Sequence, residues 1–243
     1  MSSVELVCFH HAGGGAASFH PLRRALATAG VDAHVTAVTL PGRESRRTET
    51  RHRDGMACVR AMFDELDDVL SRPHVLLGHS MGALLAYFLA QQRIARALRA
   101  PEAVVVASCR PPHQPPPLID VLALGDHELA VELARYGGMP KEVLSHPEWL
   151  ALLMPTIRDD LSICQTDWPS WEPPLPCPLY VIGGGEDAMV PRESLAEWVG
   201  YSALSQPVRQ ITGDHFLFRS PTRELVAEIA RVLDETRDRK VTS

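Results

Sequence analysis

Six short apolar runs alternate with segments of helical period along this chain, and that alternation restricts the fold more than any other feature. The runs are VELVCFH (4–10), AHVTAVTL (33–40), PHVLLGH (73–79), AVVVASC (103–109), PLYVIGGG (178–185) and PVRQIT (207–212). A strand covered on both faces reads as a continuous apolar stretch rather than as an alternation of apolar and polar residues. Such strands separated by helices predict an α/β fold: a mainly parallel central sheet with helices on both faces. Helices are expected over 19–29, 58–70, 81–98 and from Thr222 to about Thr236. In the second of these, Val59, Met62, Phe63, Leu66, Val69 and Leu70 share one face. Ligands in such sheets sit beyond the carboxyl ends of the strands, which directs attention to the loop after each run.

One stretch interrupts the alternation. Residues 111–176 contain no convincing strand, open on PPHQPPP and close on DWPSWEPPLPCP. Between these breakers lie DHELAVELARYGG, with Asp126 placed as a cap and Gly137 as a stop, and HPEWLALLMPTIRDDLSICQ. The stretch is expected to be a helical lid inserted over the strand ends of a single domain spanning 1–243. At 243 residues and 45% hydrophobic content the chain is long enough to bury a full core.

A net charge of −6 argues against nucleic-acid binding, which needs a clustered basic excess. Five cysteines, an odd number without a C-x-x-C pair, support neither a zinc site nor a disulfide framework. With no basic, apolar leader and no membrane-length apolar stretch, a cytoplasmic location is expected.

The third run enters GHSMG, residues 78–82: a G-x-S-x-G between a strand and an apolar helix. Glycines on both sides allow the strained turn that lifts a serine hydroxyl above the sheet, so Ser80 is the expected nucleophile rather than a simple helix cap. A serine needs a base, and the order in such folds is serine, acid, histidine. Of His113, His127, His146 and His215, only His215 follows a late strand directly and precedes the final helix. The acid belongs after the strand at 179–183, where Asp187 is preferred to Glu186. Asp214, adjacent to His215, reads as a loop residue.

The first run ends in HHAGGG, residues 10–15. A phosphate cradle would require G-x-G-x-x-G with a later acid, or G-K-[ST], and neither is present. Acyl transfer requires two N–H donors for the oxyanion: one on the residue after the nucleophile, Met81, and one from the loop after an earlier strand. Ala12 is the preferred second donor, ahead of Gly13.

FHHAGGGAASF, LPGRESR, LLGHSMGALLAY, SCRPPH, LARYGGMPKEVL, LMPTIRDDL, GGGEDAMVP and GDHFLF occur in the order found in type II thioesterases, and the chain resembles that family over nearly its whole length. His10 departs from it, since relatives commonly carry proline there. The resemblance implies an α/β-hydrolase fold, triad roles for Ser80, Asp187 and His215, and no metal or bound cofactor. It implies as substrate an acyl group held as a thioester on the phosphopantetheine arm of an acyl or peptidyl carrier protein in polyketide or nonribosomal peptide assembly. The alternative is a generic serine carboxylesterase with the same triad. The Met directly ahead of the first run fits a discrete protein, and a monomer is expected. Two further expectations concern surfaces. Met154 and Leu161, with Trp149, Leu152 and Leu153, would wall a moving acyl pocket. Arg43, Arg46 and Arg47, with Arg51 and Arg53, would meet an acidic carrier protein.

Overall fold

The computed structural model describes residues 4–118, 120–170 and 172–241. Seven strands form its sheet: β1 (Glu5–Phe9), β2 (His34–Ala37), β3 (His74–His79), β4 (Ala103–Ala107), β5 (Leu175–Gly184), β6 (Ser202–Ser205) and β7 (Arg209–Ile211). Their order is β2-β1-β3-β4-β5-β6, with β7 also paired to β5, and every pairing described is parallel. All six expected runs are strands. The seventh, β6, has no apolar run to announce it, because it is an edge strand whose Ala203 and Leu204 face solvent. β5 begins three residues before the expected start, and its pairing with β6 shifts register between Leu175 and Pro178, where a proline is tolerated because a bulge needs no donor.

Eight α-helices accompany the sheet among the described residues: α1 (His20–Thr28), α2 (Gly55–Glu65), α3 (Asp67–Leu70), α4 (Met81–Ala95), α5 (Asp126–Arg135), α6 (Pro147–Cys164), α7 (Arg192–Ala196) and α8 (Arg223–Val241). The helix expected at 58–70 starts earlier, at an Asp54 cap that accepts the Ala57 N–H, and divides at Leu66, whose φ of −102° leaves the helical range. α8 continues past the expected end at 236.

Side chains alternate between the two faces of each strand, which gives the sheet two cores. Leu6, Cys8, Val75, Leu77, Val105 and Ile182 pack with Leu22 and Leu26 of α1 and Leu225 and Ile229 of α8. Val7, Phe9, Leu76, Val104 and Val106 pack on the other side with Val59 and Met62 of α2, the body of α4, and Trp198. All of 81–90 in α4 is buried, which explains why that segment is apolar all round.

The insertion is helical as expected and has its own small core, in which Leu129, Ala130, Met139, Leu150, Met154 and Ile157 meet. Its details differ from expectation. Gly125 caps α5, and Asp126, the first helical residue, receives the Arg158 guanidinium at 2.7 Å. The far half of α6 is tied to the loop after β2. Asp159 binds Arg51 and Arg53, each at 2.6 Å, and Asp160 binds Arg43 at 2.6 and 2.7 Å. The insertion is therefore not a flap hinged only at its ends. Among the described residues no helix is long and apolar enough to cross a membrane.

Chain order reverses at β1: β2 lies on one side of it and β3 on the other. A crevice opens at the carboxyl end of the sheet where such a reversal occurs. The loops after β1 and β3 flank it.

Candidate active site

Ser80 stands between β3 and α4 at φ 53°, ψ −119°, a left-handed conformation that is strained for a residue with a Cβ. Its side chain makes no capping bond, so the helix-cap role does not apply. Its N–H is held by the Ala107 carbonyl at 2.9 Å. The flanking glycines are needed for close approach. A Cβ on Gly78 would lie 2.2 Å from the Gly82 carbonyl oxygen, and one on Gly82 would lie 2.1 Å from that of Phe9. The turn is thus wedged against the neighbouring strand and cannot relax.

The loops after β5 and β7 bring the other two groups to this serine. His215 Nε2 lies 3.1 Å from Ser80 Oγ, and its Nδ1 lies 2.9 Å from Asp187 Oδ2. A carboxylate only accepts, so Nδ1 carries the proton and Nε2 presents its lone pair to the serine. Asp187 is buried whereas Glu186 is exposed, which separates the two candidate acids. Burial alone would raise the Asp187 pKa. The bonds from His215 and from the Met189 and Val190 N–H groups outweigh it and hold the carboxyl below its ordinary value. Asp214 accepts the Phe216 N–H in the local turn, as a loop residue would.

His79, which sequence reasoning passed over, is fully buried behind the site and donates from Nε2 to the His215 carbonyl at 2.7 Å, fixing the backbone that carries the base. Burial, then the nearby His11 and His215, push its pKa well down. His11 packs edge-on against it, and burial pushes the His11 pKa to about 3. Both rings are neutral packing groups near pH 7. Its place at the end of the apolar run 73–79 was the available signal for burial.

The glycine loop distributes its N–H groups unevenly. Gly13 donates to Asp160 Oδ2 at 2.7 Å, Gly14 to the His11 carbonyl at 3.0 Å and Gly15 to Ser18 Oγ at 3.3 Å. Ala16 and Ala17 donate to the two oxygens of Glu44 at 3.1 and 2.9 Å. Between 12 and 17, Ala12 alone keeps an N–H without a partner among the described residues, and Ala12 lines the cavity at Ser80. The preference for Ala12 over Gly13 thus has a physical reason. Met81 opens α4, where the helix geometry leaves its N–H free, and it lines the same cavity.

Asp160 is the other residue whose role the sequence reading missed. Two adjacent acids within a largely apolar helical segment, in IRDDLSIC, were the available signal, because a buried carboxylate must be paired.

The cavity has a volume of about 610 Å³ and extends from Ser80, Ala12 and His215 beneath the insertion. Leu153, Ile157 and Leu161 of α6 line it at four-residue spacing, opposite Leu84 and Trp168. Leu161 is where it was expected. Met154 is not: one position round the helix from Leu153, it is fully buried in the insertion's own core. Trp149 and Leu152 face outward.

The arginine surface also needs correction. Arg43 has 9% of its side chain exposed and is locked to Asp160, so it is not a surface contact. Arg46 is bound to both Glu49 and Glu65, while Arg51 and Arg53 share Asp159. Of the three arginines first proposed, Arg47 remains exposed.

A family model described as "Thioesterase domain" matches residues 4–235. The chain is 32% identical over 235 residues to "Linear gramicidin dehydrogenase LgrE" of Brevibacillus parabrevis, covering 96% of this chain and 88% of that one. Among solved structures it is similar to RedJ, a thioesterase from the prodiginine pathway of Streptomyces coelicolor, with a TM-score of 0.85 and 30% identity over 94% of this chain and 85% of that one. It is similar also to BorB, the type II thioesterase of the borrelidin cluster, with a TM-score of 0.83 and 30% identity over 96% and 93% of the two chains. The dehydrogenase of the first name finds no counterpart in this site, whose glycine run lacks G-x-G-x-x-G and whose loop amides are held by Asp160 and Glu44.

Proposed function

The chain belongs to the thioesterase domain family, and from that membership we propose that it is a type II thioesterase. It frees carrier proteins of polyketide or nonribosomal peptide assembly from stalled or aberrant acyl groups. Its similarity to RedJ and BorB across most of their lengths supports this over a generic carboxylesterase. The single observation that carries the chemistry is the hydrogen-bonded chain from Ser80 through His215 to Asp187, opening into a cavity that Ala12 also lines.

His215 Nε2 takes the Ser80 proton as Oγ attacks the thioester carbonyl. Asp187 stabilises the resulting imidazolium. The Ala12 and Met81 N–H groups hold the oxyanion, and each such donor contributes about a hundredfold to a thousandfold in rate. As the carbon–sulfur bond breaks, the imidazolium returns its proton to the departing pantetheine sulfur. Water, deprotonated by the same His215, then cleaves the acyl-serine. All of these groups come from one chain, so a monomer suffices. The acyl chain lies along Leu153, Ile157 and Leu161. The carrier protein supplies the phosphopantetheine as part of the substrate, and no metal or resident cofactor takes part.

A carrier protein acylated on its phosphopantetheine tests the reading by intact mass. The acyl mass should disappear with the wild-type chain and persist with Ser80→Ala. Hydrolysis of matched oxygen esters without release from the carrier would refute it in favour of a carboxylesterase.

A further inference from the structure

His10 stands in the turn between β1 and the glycine run and is 1% exposed. Its Nδ1 lies 2.8 Å from the carbonyl oxygen of His11. A carbonyl only accepts, so Nδ1 carries the ring proton and donates it. Nε2 is then a bare lone pair, and it has no partner among the described residues. Burial, followed by the charge of Arg43, lowers the His10 pKa, which keeps the ring in this neutral form.

The carbonyl that His10 grips belongs to the same peptide unit as the Ala12 N–H. A peptide unit is planar and trans, so the direction of its C=O sets the direction of its N–H. The His11 carbonyl also accepts the Gly14 N–H at 3.0 Å. Two donors therefore hold one end of the plane whose other end belongs to Ala12, a residue that lines the cavity with Ser80. Hydrogen bonds accepted at a carbonyl polarise the amide and make its N–H a stronger donor.

We propose that His10 is a positioning residue for the oxyanion site, aiming and polarising the Ala12 N–H through its bond to the His11 carbonyl. The inference rests on Ala12 being an oxyanion donor. It assigns to this side chain a role that proline, with no side-chain donor, could not fill.

Three variants test it. His10→Leu keeps bulk without a donor, His10→Asn places an amide N–H where Nδ1 stands, and His10→Pro removes the side-chain donor altogether. The readouts are kcat and KM on an acyl-N-acetylcysteamine thioester, and the infrared carbonyl stretch of the acyl-enzyme. His10→Leu and His10→Pro should lower kcat about tenfold at unchanged KM, less than the loss of a whole oxyanion donor. Their acyl carbonyl stretch should move to higher frequency. His10→Asn should restore both to within about threefold of wild type, a rescue that packing alone would not produce. Equal losses in His10→Leu and His10→Asn, or an unchanged kcat in all three, would overturn the proposal. If the variants match wild type while Ser80→Ala abolishes turnover, the hydrolase reading stands and this inference alone falls. If wild type forms no acyl-enzyme, both fall together.

Discussion

Gly13 donates its N–H to Asp160 at 2.7 Å across 147 residues of chain. The same carboxylate binds Arg43 at two points, so one buried group ties the glycine loop, the loop after β2 and the far half of α6 together. The insertion that roofs the cavity and the loop that presents Ala12 are in this way one mechanical unit.

Replacing Asp160 should therefore affect stability and chemistry together. Asp160→Ala leaves the Arg43 guanidinium buried and uncompensated, a change that costs about 3–5 kcal/mol. Urea unfolding should show a lower midpoint, and kcat should fall because the Gly13 anchor is lost. Asp160→Asn keeps an acceptor for Gly13 and should lose less on both measures. A fully active, fully stable Asp160→Ala would refute this coupling.

Met154 and Leu161, seven residues apart on α6, share the insertion's core, and of the two only Leu161 also lines the cavity. Leu161→Trp fills space beside the acyl path and should shift preference toward shorter acyl chains in a competition between thioesters. Met154→Ala should cost about 2–5 kcal/mol, as truncation in a packed core does, and leave that preference unchanged. A changed preference in the Met154 variant would place its side chain in the pocket after all.

Among the three arginines first proposed for a carrier contact, Arg47 is the one still exposed. Arg47→Glu should lower kcat/KM on a carrier-bound acyl group by about threefold to tenfold at low salt and spare a small thioester. Equal losses on both substrates would show that the residue does not meet the carrier.

Stability should fall in mild acid. Burial is the first cause lowering the pKa of His10, His11, His74 and His79, to about 3 for His11 and about 4 for His74. The unfolded chain protonates these rings near 6.5 and the folded chain does not, so stability is complete above 6.5 and drains as pH falls toward the folded values. Each ring contributes a slope of about 1.4 kcal/mol per pH unit in its window. His74, remote from the triad, isolates the effect: His74→Asn should flatten the pH dependence between 6.5 and about 4 by one proton. An unaltered slope by chemical denaturation would contradict it.

The strands were legible because burial on both faces leaves little choice of residue: Val7, Leu76 and Val105 could be placed from apolar content alone. Ser80, Asp187 and His215 were legible for a different reason. The strained turn demands glycines at 78 and 82, and chain order with strand position leaves few candidates for the other two roles. β6 was missed because an exposed edge strand needs no apolar run. The cap at Gly125, the break at Leu66 and the early start of β5 depend on local dihedral angles and pairing that composition does not encode.

Sequence by itself thus determined the parallel sheet, the helical insertion and the glycine-flanked turn at Ser80. These follow from periodicity and from glycine and proline placement, which act within a few residues. Tertiary structure decided which charges are surface and which are structural. Arg43 and Arg47 are four residues apart and alike on paper, yet one is buried against Asp160 from a distant helix and the other is exposed. Leu161 and Met154 likewise share a helix and one small core, yet only Leu161 also lines the cavity. The environment of a side chain is set by what packs against it from elsewhere in the chain, and only the folded molecule brings those partners together.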